Sequence, residues 1–393
     1  MAVKRERRVG RVGRVGRVGL PDVAAVTSAR WFAGKGRGVA GVEPVEEIVL
    51  DGAQGASIVL VDVAHTTGER ERYALALREG RECGGDDPVW SALARSAGVG
   101  AVPAATRFLA DDLSNTVVSL GERLVLKLFR RLEPGPHPEA ELLQAVRGFR
   151  HVPALAGVVE HGDITVALVE DYVAGIPVGW EGLISRLASG DDALGDARDL
   201  GHVAGALHRQ LAAALGTSVA VAEGLAAERA AAVAAMADVE SEAVVHERLR
   251  GLDRLLGTRL QRVHGDLHVG QVLRTASGLV VIDFEGDPSL PLAERARPRS
   301  ALVDVASLLL SLDHAGCAAT RREPGFDWRA WSHEARNVCM SAYEAEIGPV
   351  DRELLRALEV AKELRELLYA SRWLPEWLYA PTAVLPTLLE DLS

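Results

Sequence analysis

Between Val263 and Asp287 this chain sets ionisable residues into an otherwise apolar stretch: Val263-His-Gly-Asp-Leu-His-Val-Gly-Gln-Val-Leu273, then Val281-Ile-Asp-Phe-Glu-Gly-Asp287. Two short β-rich runs, 271–274 and 279–283, are joined by a polar turn, so the expected local structure is loop, hairpin, loop. Asp266 then precedes the hairpin and Asp283 ends it. The rest of the chain beyond Ala174 is Ala/Leu-rich with helical periodicity. The hairpin must therefore be set into a helical body. Within that body, 226–237 is rich enough in Ala for helix propensity itself to contribute.

The first half reads differently. From Leu20 to about Trp90 the pattern is short strands with turns: 47–50, 57–63 and 72–77, the first two separated by Asp51-Gly-Ala-Gln-Gly55. From Ser91 to Val173 a second set follows, with strands at 115–120, 123–129, 157–160 and 164–172 flanking a helix over 138–149. Pro138 suits a first helical position, where its missing N–H costs nothing. The expected divisions are a tail at 1–19, a cap subdomain at 20–90, a sheet subdomain at 91–173 and a helical body at 174–393. At 393 residues, several cores are expected rather than one.

The tail repeats Arg-Val-Gly four times and is too glycine-rich to hold a helix, so a mobile segment is expected. It carries seven basic residues against one acid, which leaves the remainder near −17 in a chain of net charge −11. Nucleic acid and anionic membrane are therefore not expected partners, because phosphate binding needs concentrated positive charge. Cys83, Cys317 and Cys339 are too few and too scattered for a disulfide framework or a paired zinc site. No apolar run is read as approaching the roughly 20 residues that cross a bilayer, and no secretory signal follows the basic start. A cytoplasmic monomer is the expectation.

The order Asp266, Gln271, strand, Asp283 resembles the kinase sequence of a catalytic loop followed by a metal-binding loop. Phosphoryl transfer needs a carboxylate near the attacking hydroxyl and oxygen ligands for Mg²⁺, and two loops joined by a hairpin can supply both. Metal-hydrolase ligation by His264, Asp266, His268 and Asp283 is the rival reading. His264 alone reads as a loop brace bonded to backbone.

A lysine is the second feature. The chain has only four, Lys4, Lys35, Lys127 and Lys362, among 44 basic residues, so one centred in the strand Leu124-Val-Leu-Lys-Leu-Phe129 calls for a role. A kinase sets such a lysine against nucleotide phosphates and steadies it with a helix glutamate; Glu141 is the first choice and Glu139 the second. An edge-strand lysine that blocks aggregation is the alternative. Ser114-Asn-Thr116 stands where phosphate oxygens would be met by hydroxyl, amide and backbone donors. Gly34-Lys-Gly-Arg-Gly38 lacks the Walker spacing and reads as a basic turn.

With Arg30-Trp-Phe-Ala-Gly-Lys-Gly-Arg37, Pro291-Leu-Ala-Glu-Arg295 and Asp304-Val-Ala306 added in order, the chain resembles the maltokinase-like branch of the aminoglycoside-phosphotransferase and protein-kinase-like superfamily, which includes actinobacterial glucosamine kinases. The resemblance implies an α+β, bilobal protein-kinase-like fold with an extra N-terminal cap, and ATP between the lobes. It implies adenine bonding to backbone near Asp171 and Val173, a phosphate-side pair of Lys127 and Glu141, Asp266 as catalytic base, and Gln271 and Asp283 as Mg²⁺ ligands.

The resemblance also bears on the acceptor. Maltokinases usually carry an Arg before Asp-Val-Ala and a Tyr-Glu-Ala-Arg near the C-terminus, where this chain has Val303 and Tyr369-Ala-Ser-Arg372. Glucosamine is the expected substrate, with maltose second and an aminoglycoside third. A kinase-like binding protein without activity is the non-enzyme alternative; the presence of Lys127, Asp266 and Asp283 argues against it. Glu285 and Asp287 are expected to receive an ammonium group, with Asp266, His268, Arg372 and Trp377 completing the sugar side.

Overall fold

A computed structural model describes residues 11–13, 19, 22–109, 114–222, 230, 232–233, 242–288 and 290–390. The chain divides into two compact units, Met1–Arg147 with Pro153–Ala174, and Gly148–Val152 with Gly175–Ser393.

The first unit is built on two antiparallel sheets. Strands Val39–Val49, Ser57–His65 and Arg70–Arg78 form the centre of one. One face, Val59, Val61, Val63, Tyr73, Leu75 and Leu77, packs on Phe32 and Val26; Ile58, Leu60, Ala74 and Ala76 on the other face are buried too, so the centre of this sheet is covered on both sides. The second sheet runs in the order Leu155–His161, Ile164–Asp171, Leu124–Leu128, Thr116–Leu120, Thr106–Phe108. Arg131–Leu132 pairs with Arg70–Arg78 in the first sheet, so residues from the 91–173 segment complete the cap's own sheet.

Three local features differ from the sequence reading. Helices at Val23–Ser28 and Pro88–Ser96 interrupt the stretch read as strands; each begins at an aspartate, Asp22 or Asp87, whose side chain accepts an N–H of the first turn. The helix at Pro138 ends at Ala145, before Gly148, which adopts a positive φ of 85°. Within the supposedly mobile tail, Arg11–Gly13 pairs antiparallel with Glu47–Val49. The outer strand of a sheet offers unpaired N–H and C=O groups, and a short Arg-Val-Gly segment can take them up. Apart from Gly19, the rest of the tail lies outside the described residues.

The second unit is mainly helical. Its long helices are Leu194–Leu215, Leu302–Arg322, Trp328–Ile347 and Arg352–Trp373, with Trp180–Ala188 and Tyr379–Leu389 shorter. Leu194–Leu215 lies close against Trp328–Ile347 because Gly201 has no side chain; a Cβ there would collide with the Cys339 carbonyl. Into these helices is set a hairpin, Val272–Thr275 with Gly278–Val281, extended by Ile176–Pro177. The alanine-rich stretch 226–237 falls outside the described residues except at 230, 232 and 233, which are helical. Contrary to the sequence expectation, Leu302–Arg322 is long and apolar enough by composition to cross a bilayer; 89% of its most apolar window is buried inside the protein, as a core helix requires.

Candidate active site

Asp266 sits in a loop held from behind by a buried carboxylate. Asp304, in the first turn of Leu302–Arg322, is fully buried and accepts the main-chain N–H groups of His264 and Gly265, each at 2.8 Å, and His208 Nε2 at 3.0 Å. A carboxylate can only accept, so His208 carries its proton on Nε2; its Nδ1 faces the Tyr343 hydroxyl at 2.8 Å. Burial alone would raise the Asp304 pKa, but the His208 hydrogen bond, the nearby His208 and His264 and the Gly265 N–H together hold it below the ordinary aspartate value. Sequence reading gave Asp304 no such part.

The two loops meet at a glycine. Gly265 has φ of 88° and a Cβ there would stand 3.1 Å from Gly286 Cα. His264 ties the same loops together, with Nε2 3.0 Å from the Ile282 carbonyl and Nδ1 facing the Asp266 N–H at 3.4 Å. That is the loop-bracing part expected of it. Both ring nitrogens are occupied, which removes His264 as a ligand in the metal-hydrolase alternative.

The hairpin brings Gln271 and Asp283 together. The Ile282 N–H donates to the Gln271 carbonyl at 3.0 Å, and Gln271 Nε2 donates to Asp283 Oδ2 at 3.0 Å. With its amide nitrogen so used, Gln271 presents Oε1 as an oxygen donor. Asp283 and Glu285 offer carboxylate oxygens within 4.8 Å of each other. This all-oxygen set fits a hard divalent cation such as Mg²⁺. Asp283 has φ of 65°, a left-handed conformation that costs energy without glycine and that recurs at ligand sites.

Around Asp266 the helix Arg352–Trp373 adds residues that sequence reading missed. Lys362 Nζ lies 3.5 Å from Asp266 Oδ1 and 2.7 Å from Glu366 Oε1. Burial works against its charge, yet Glu366, Asp266 and Asp287 raise its pKa above the ordinary lysine value. One residue along, Glu363 holds His314 Nε2 at 2.9 Å in a buried pair. The scarcity of lysine that draws attention to Lys127 applies equally to Lys362; the aligned positions 362 and 366 were the available signal.

His268 stands beside Asp266. Its Nδ1 accepts the Gly270 N–H at 3.0 Å, which leaves the proton on Nε2, 3.9 Å from Asp266 Oδ2. Burial lowers its pKa against the opposing pull of Asp266. Trp180 lies 5.9 Å from the His268 ring and 5.8 Å from the half-buried Trp377. Trp377 thus belongs to this cluster, whereas Arg372 stands exposed near the end of its helix, with no contact among the described residues that draws it in. Glu285 lies 3.8 Å from Arg295 Nη1 and Asp287 acts on Lys362. The two acids expected to receive an ammonium group each face a cation of the chain.

In the first unit, Lys127 is buried at the centre of its sheet and pairs with Glu139 Oε2 at 3.0 Å. It is therefore not an edge-strand lysine. Glu139 takes the place given first to Glu141; residues two apart on a helix project about 200° apart, and Glu139 is the one turned into the core, 1% exposed. The Ser114-Asn-Thr116 turn is partly committed elsewhere. Asn115 accepts the main-chain N–H of Arg130 at 3.0 Å, and Thr116 accepts Arg130 Nε at 2.6 Å, because a buried guanidinium must find acceptors; Ser114 alone is exposed. The Asp171 N–H donates to the Ala154 carbonyl at 2.9 Å, so an adenine acceptor nitrogen would have to be met at Val173 instead.

The profile of the phosphotransferase enzyme family matches residues 105–336, more than half of the chain. The chain belongs to that family. The maltokinase N-terminal cap domain matches residues 26–108. A glucosamine kinase of Streptacidiphilus jiangxiensis is 35% identical over 323 residues, covering 71% of this chain and 73% of that protein. A glucosamine kinase of Mycolicibacterium smegmatis is 32% identical over 315 residues, covering 71% and 78%. Among solved structures, a glucosamine kinase in complex with glucosamine, ADP and inorganic phosphate superposes with TM-score 0.70 and 28% identity over 94% of this chain and all of that one. The protein is a phosphotransferase with an α+β kinase-like fold and an N-terminal cap, as the sequence resemblance implied.

Proposed function

We propose that the protein is an ATP-dependent glucosamine kinase that moves the γ-phosphoryl group to the 6-hydroxyl of the sugar. The observation that carries this reading is the surroundings of Asp266: carboxylates of Glu366 and Asp287, Lys362, His268, and the rings of Trp180 and Trp377, all in one unit. Apolar ring faces suit the C–H face of a pyranose, and an acid-rich surround suits a small cationic sugar. The glucosamine kinase relatives support the same acceptor.

In this reading Asp266 accepts the proton of the attacking hydroxyl, and Lys362 and His268 orient that carboxylate. Glu366, which shares Lys362 with Asp266, joins Glu285 and Asp287 as an acid available to the amino group. Lys127, steadied by Glu139, meets phosphate oxygens, and Val173 meets adenine. Gln271 Oε1 and Asp283 would hold Mg²⁺, which when bound supplies positive charge to the phosphates. The three cysteines are free and buried, which supports a reducing cytoplasm as the location.

A panel of glucosamine, glucose, N-acetylglucosamine, maltose and an aminoglycoside, each with ATP and Mg²⁺, tests the reading. Glucosamine is expected to show the highest kcat/KM, and Asp266→Asn to abolish its turnover. The cap match at 26–108 is the one observation that favours maltose, and a maltose preference in the panel would replace the glucosamine assignment. Turnover equal in wild type and Asp266→Asn would remove Asp266 from the mechanism.

A further inference from the structure

Residues 148–152 lie in sequence between a helix and a strand of the first unit, yet they belong to the second. The chain leaves the helix Pro138–Ala145 and turns at Gly148, whose φ of 85° suits glycine. It then runs Phe149-Arg-His-Val152 before the first unit resumes at Pro153. What this short segment meets is the outer side of the hairpin that leads to Asp283.

The strand Gly278–Val281 is the edge of its three-stranded sheet. Backbone groups of successive residues point to opposite sides of a strand. The Ile282 N–H donates inward to the Gln271 carbonyl at 3.0 Å, so the groups of Leu279 and Val281 face outward. These two residues are 2% and 1% exposed, and buried backbone groups need partners. His151 meets both. Its main-chain carbonyl accepts the Val281 N–H at 2.8 Å, and its Nδ1 lies 2.7 Å from the Leu279 carbonyl. A carbonyl only accepts, so Nδ1 carries the proton, and Nε2 is left to accept from Arg150 Nε at 3.0 Å. One residue thus supplies the acceptor and the donor that a further strand would have brought.

We infer that His151 is a positioning residue for the metal loop: it fixes the strand from which Asp283 is delivered. The inference rests on the reading of Gln271 and Asp283 as Mg²⁺ ligands and is independent of which sugar is the acceptor. Asp283 stands two residues beyond Val281 with φ of 65°, a conformation that its surroundings must enforce in a residue other than glycine. Its approach is held at Ile282 by Gln271 and by His264 Nε2, 3.0 Å from the Ile282 carbonyl, and at Leu279 and Val281 by His151. Strands this short make a sheet that is marginal on its own. Mg²⁺ tolerates little departure from octahedral ligation, so a loosened outer anchor is felt at the cation.

The test is calorimetric titration of the whole protein with ADP, at stepped Mg²⁺ concentrations and with EDTA in a separate arm. The proteins are the wild type, His151→Ala, His151→Asn and Asp283→Ala. Losing a group that orients a metal ligand typically weakens affinity about 10–100-fold. His151→Ala is therefore expected to raise the Mg²⁺ concentration for half-maximal ADP affinity at least tenfold, with affinity in EDTA unchanged. His151→Asn keeps an N–H close to where Nδ1 stands and should recover most of that loss. Equal losses in the two variants, or an affinity that falls as much in EDTA as in Mg²⁺, would reveal a general weakening of the fold and overturn the proposal. The Asp283→Ala arm separates this inference from the reading beneath it. A wild-type Mg²⁺ dependence in Asp283→Ala removes the metal ligand, whereas an impaired Asp283→Ala beside an unaffected His151→Ala removes the positioning role alone.

Discussion

Lys127 Nζ and Glu139 Oε2 stand 3.0 Å apart in the core of the first unit, with the lysine side chain 10% and the glutamate 1% exposed. Breaking so buried a pair by removing one member costs about 3 kcal/mol. Glu139→Gln is therefore expected to lower thermal stability and raise KM for ATP while leaving KM for the sugar near wild type. Glu141→Gln, on a partly exposed side of the same helix, should cost less stability than Glu139→Gln and leave KM for ATP closer to wild type. Melting curves and ATP titrations of the two variants check this; the reverse ranking would return the pairing role to Glu141.

Asp304 makes a prediction about pH as well as about activity. Its carboxylate holds the loop of Asp266 through the N–H groups of His264 and Gly265, and its folded pKa is depressed. A depressed carboxyl contributes stability that is present above its unfolded pKa of about 3.9 and is lost as pH falls through the lower folded value. Asp304→Asn is expected to cost about 2–3 kcal/mol at neutral pH, since it leaves buried donors short of an acceptor. The gap to wild type should be constant from pH 8 to pH 6 and shrink below about 4. Denaturant melts at stepped pH measure it, and a gap that widens on acidification would contradict the assignment.

Gln271 is expected to matter through the cation. Gln271→Ala removes both the Oε1 donor and the bond that orients Asp283, and disturbing such ligand contacts typically weakens metal affinity by about 10–100-fold. The Mg²⁺ concentration for half-maximal rate should rise by that factor, with KM for the sugar little changed. Activity at saturating Mg²⁺ should recover substantially in Gln271→Ala and not in Asp283→Ala. A magnesium titration unaltered by Gln271→Ala would exclude it as a ligand.

What was legible in the sequence is what local pattern can encode. The apolar run Leu124–Phe129 marked a strand with Lys127 at its centre, and the run from Val263 to Asp287 marked loop, hairpin and loop, because β-rich runs and turn residues are local signals. The choice between Glu139 and Glu141 depended on which face of a helix packs on the sheet, which composition at 138–149 does not encode. Asp304 and Lys362 lie 38 and 96 positions beyond Asp266 in the chain; what joins them to it is helix packing. The pairing of Arg11–Gly13 likewise depends on an edge left open by residues 47–49, so glycine content alone misled.

Lys362 offers the sharpest separation of charge from structure. Its ammonium stands between Asp266 and Glu366, and Lys362→Met keeps the stem while leaving those two carboxylates to repel each other. Loss of an electrostatic contact at a reacting group typically costs about 10²-fold in kcat, so kcat is expected to fall by that order while KM for ATP stays near wild type. Stability supplies the independent readout. A raised folded pKa means that the lysine's contribution is fully present below its unfolded value of about 10.4 and is lost only as pH rises through the folded value. The stability gap between wild type and Lys362→Met should therefore be flat from pH 6 to pH 9 and narrow in strongly alkaline solution. A gap that closed near neutrality would mean that the lysine is held without its charge, and that the carboxylates around Asp266 are neutralised by something else.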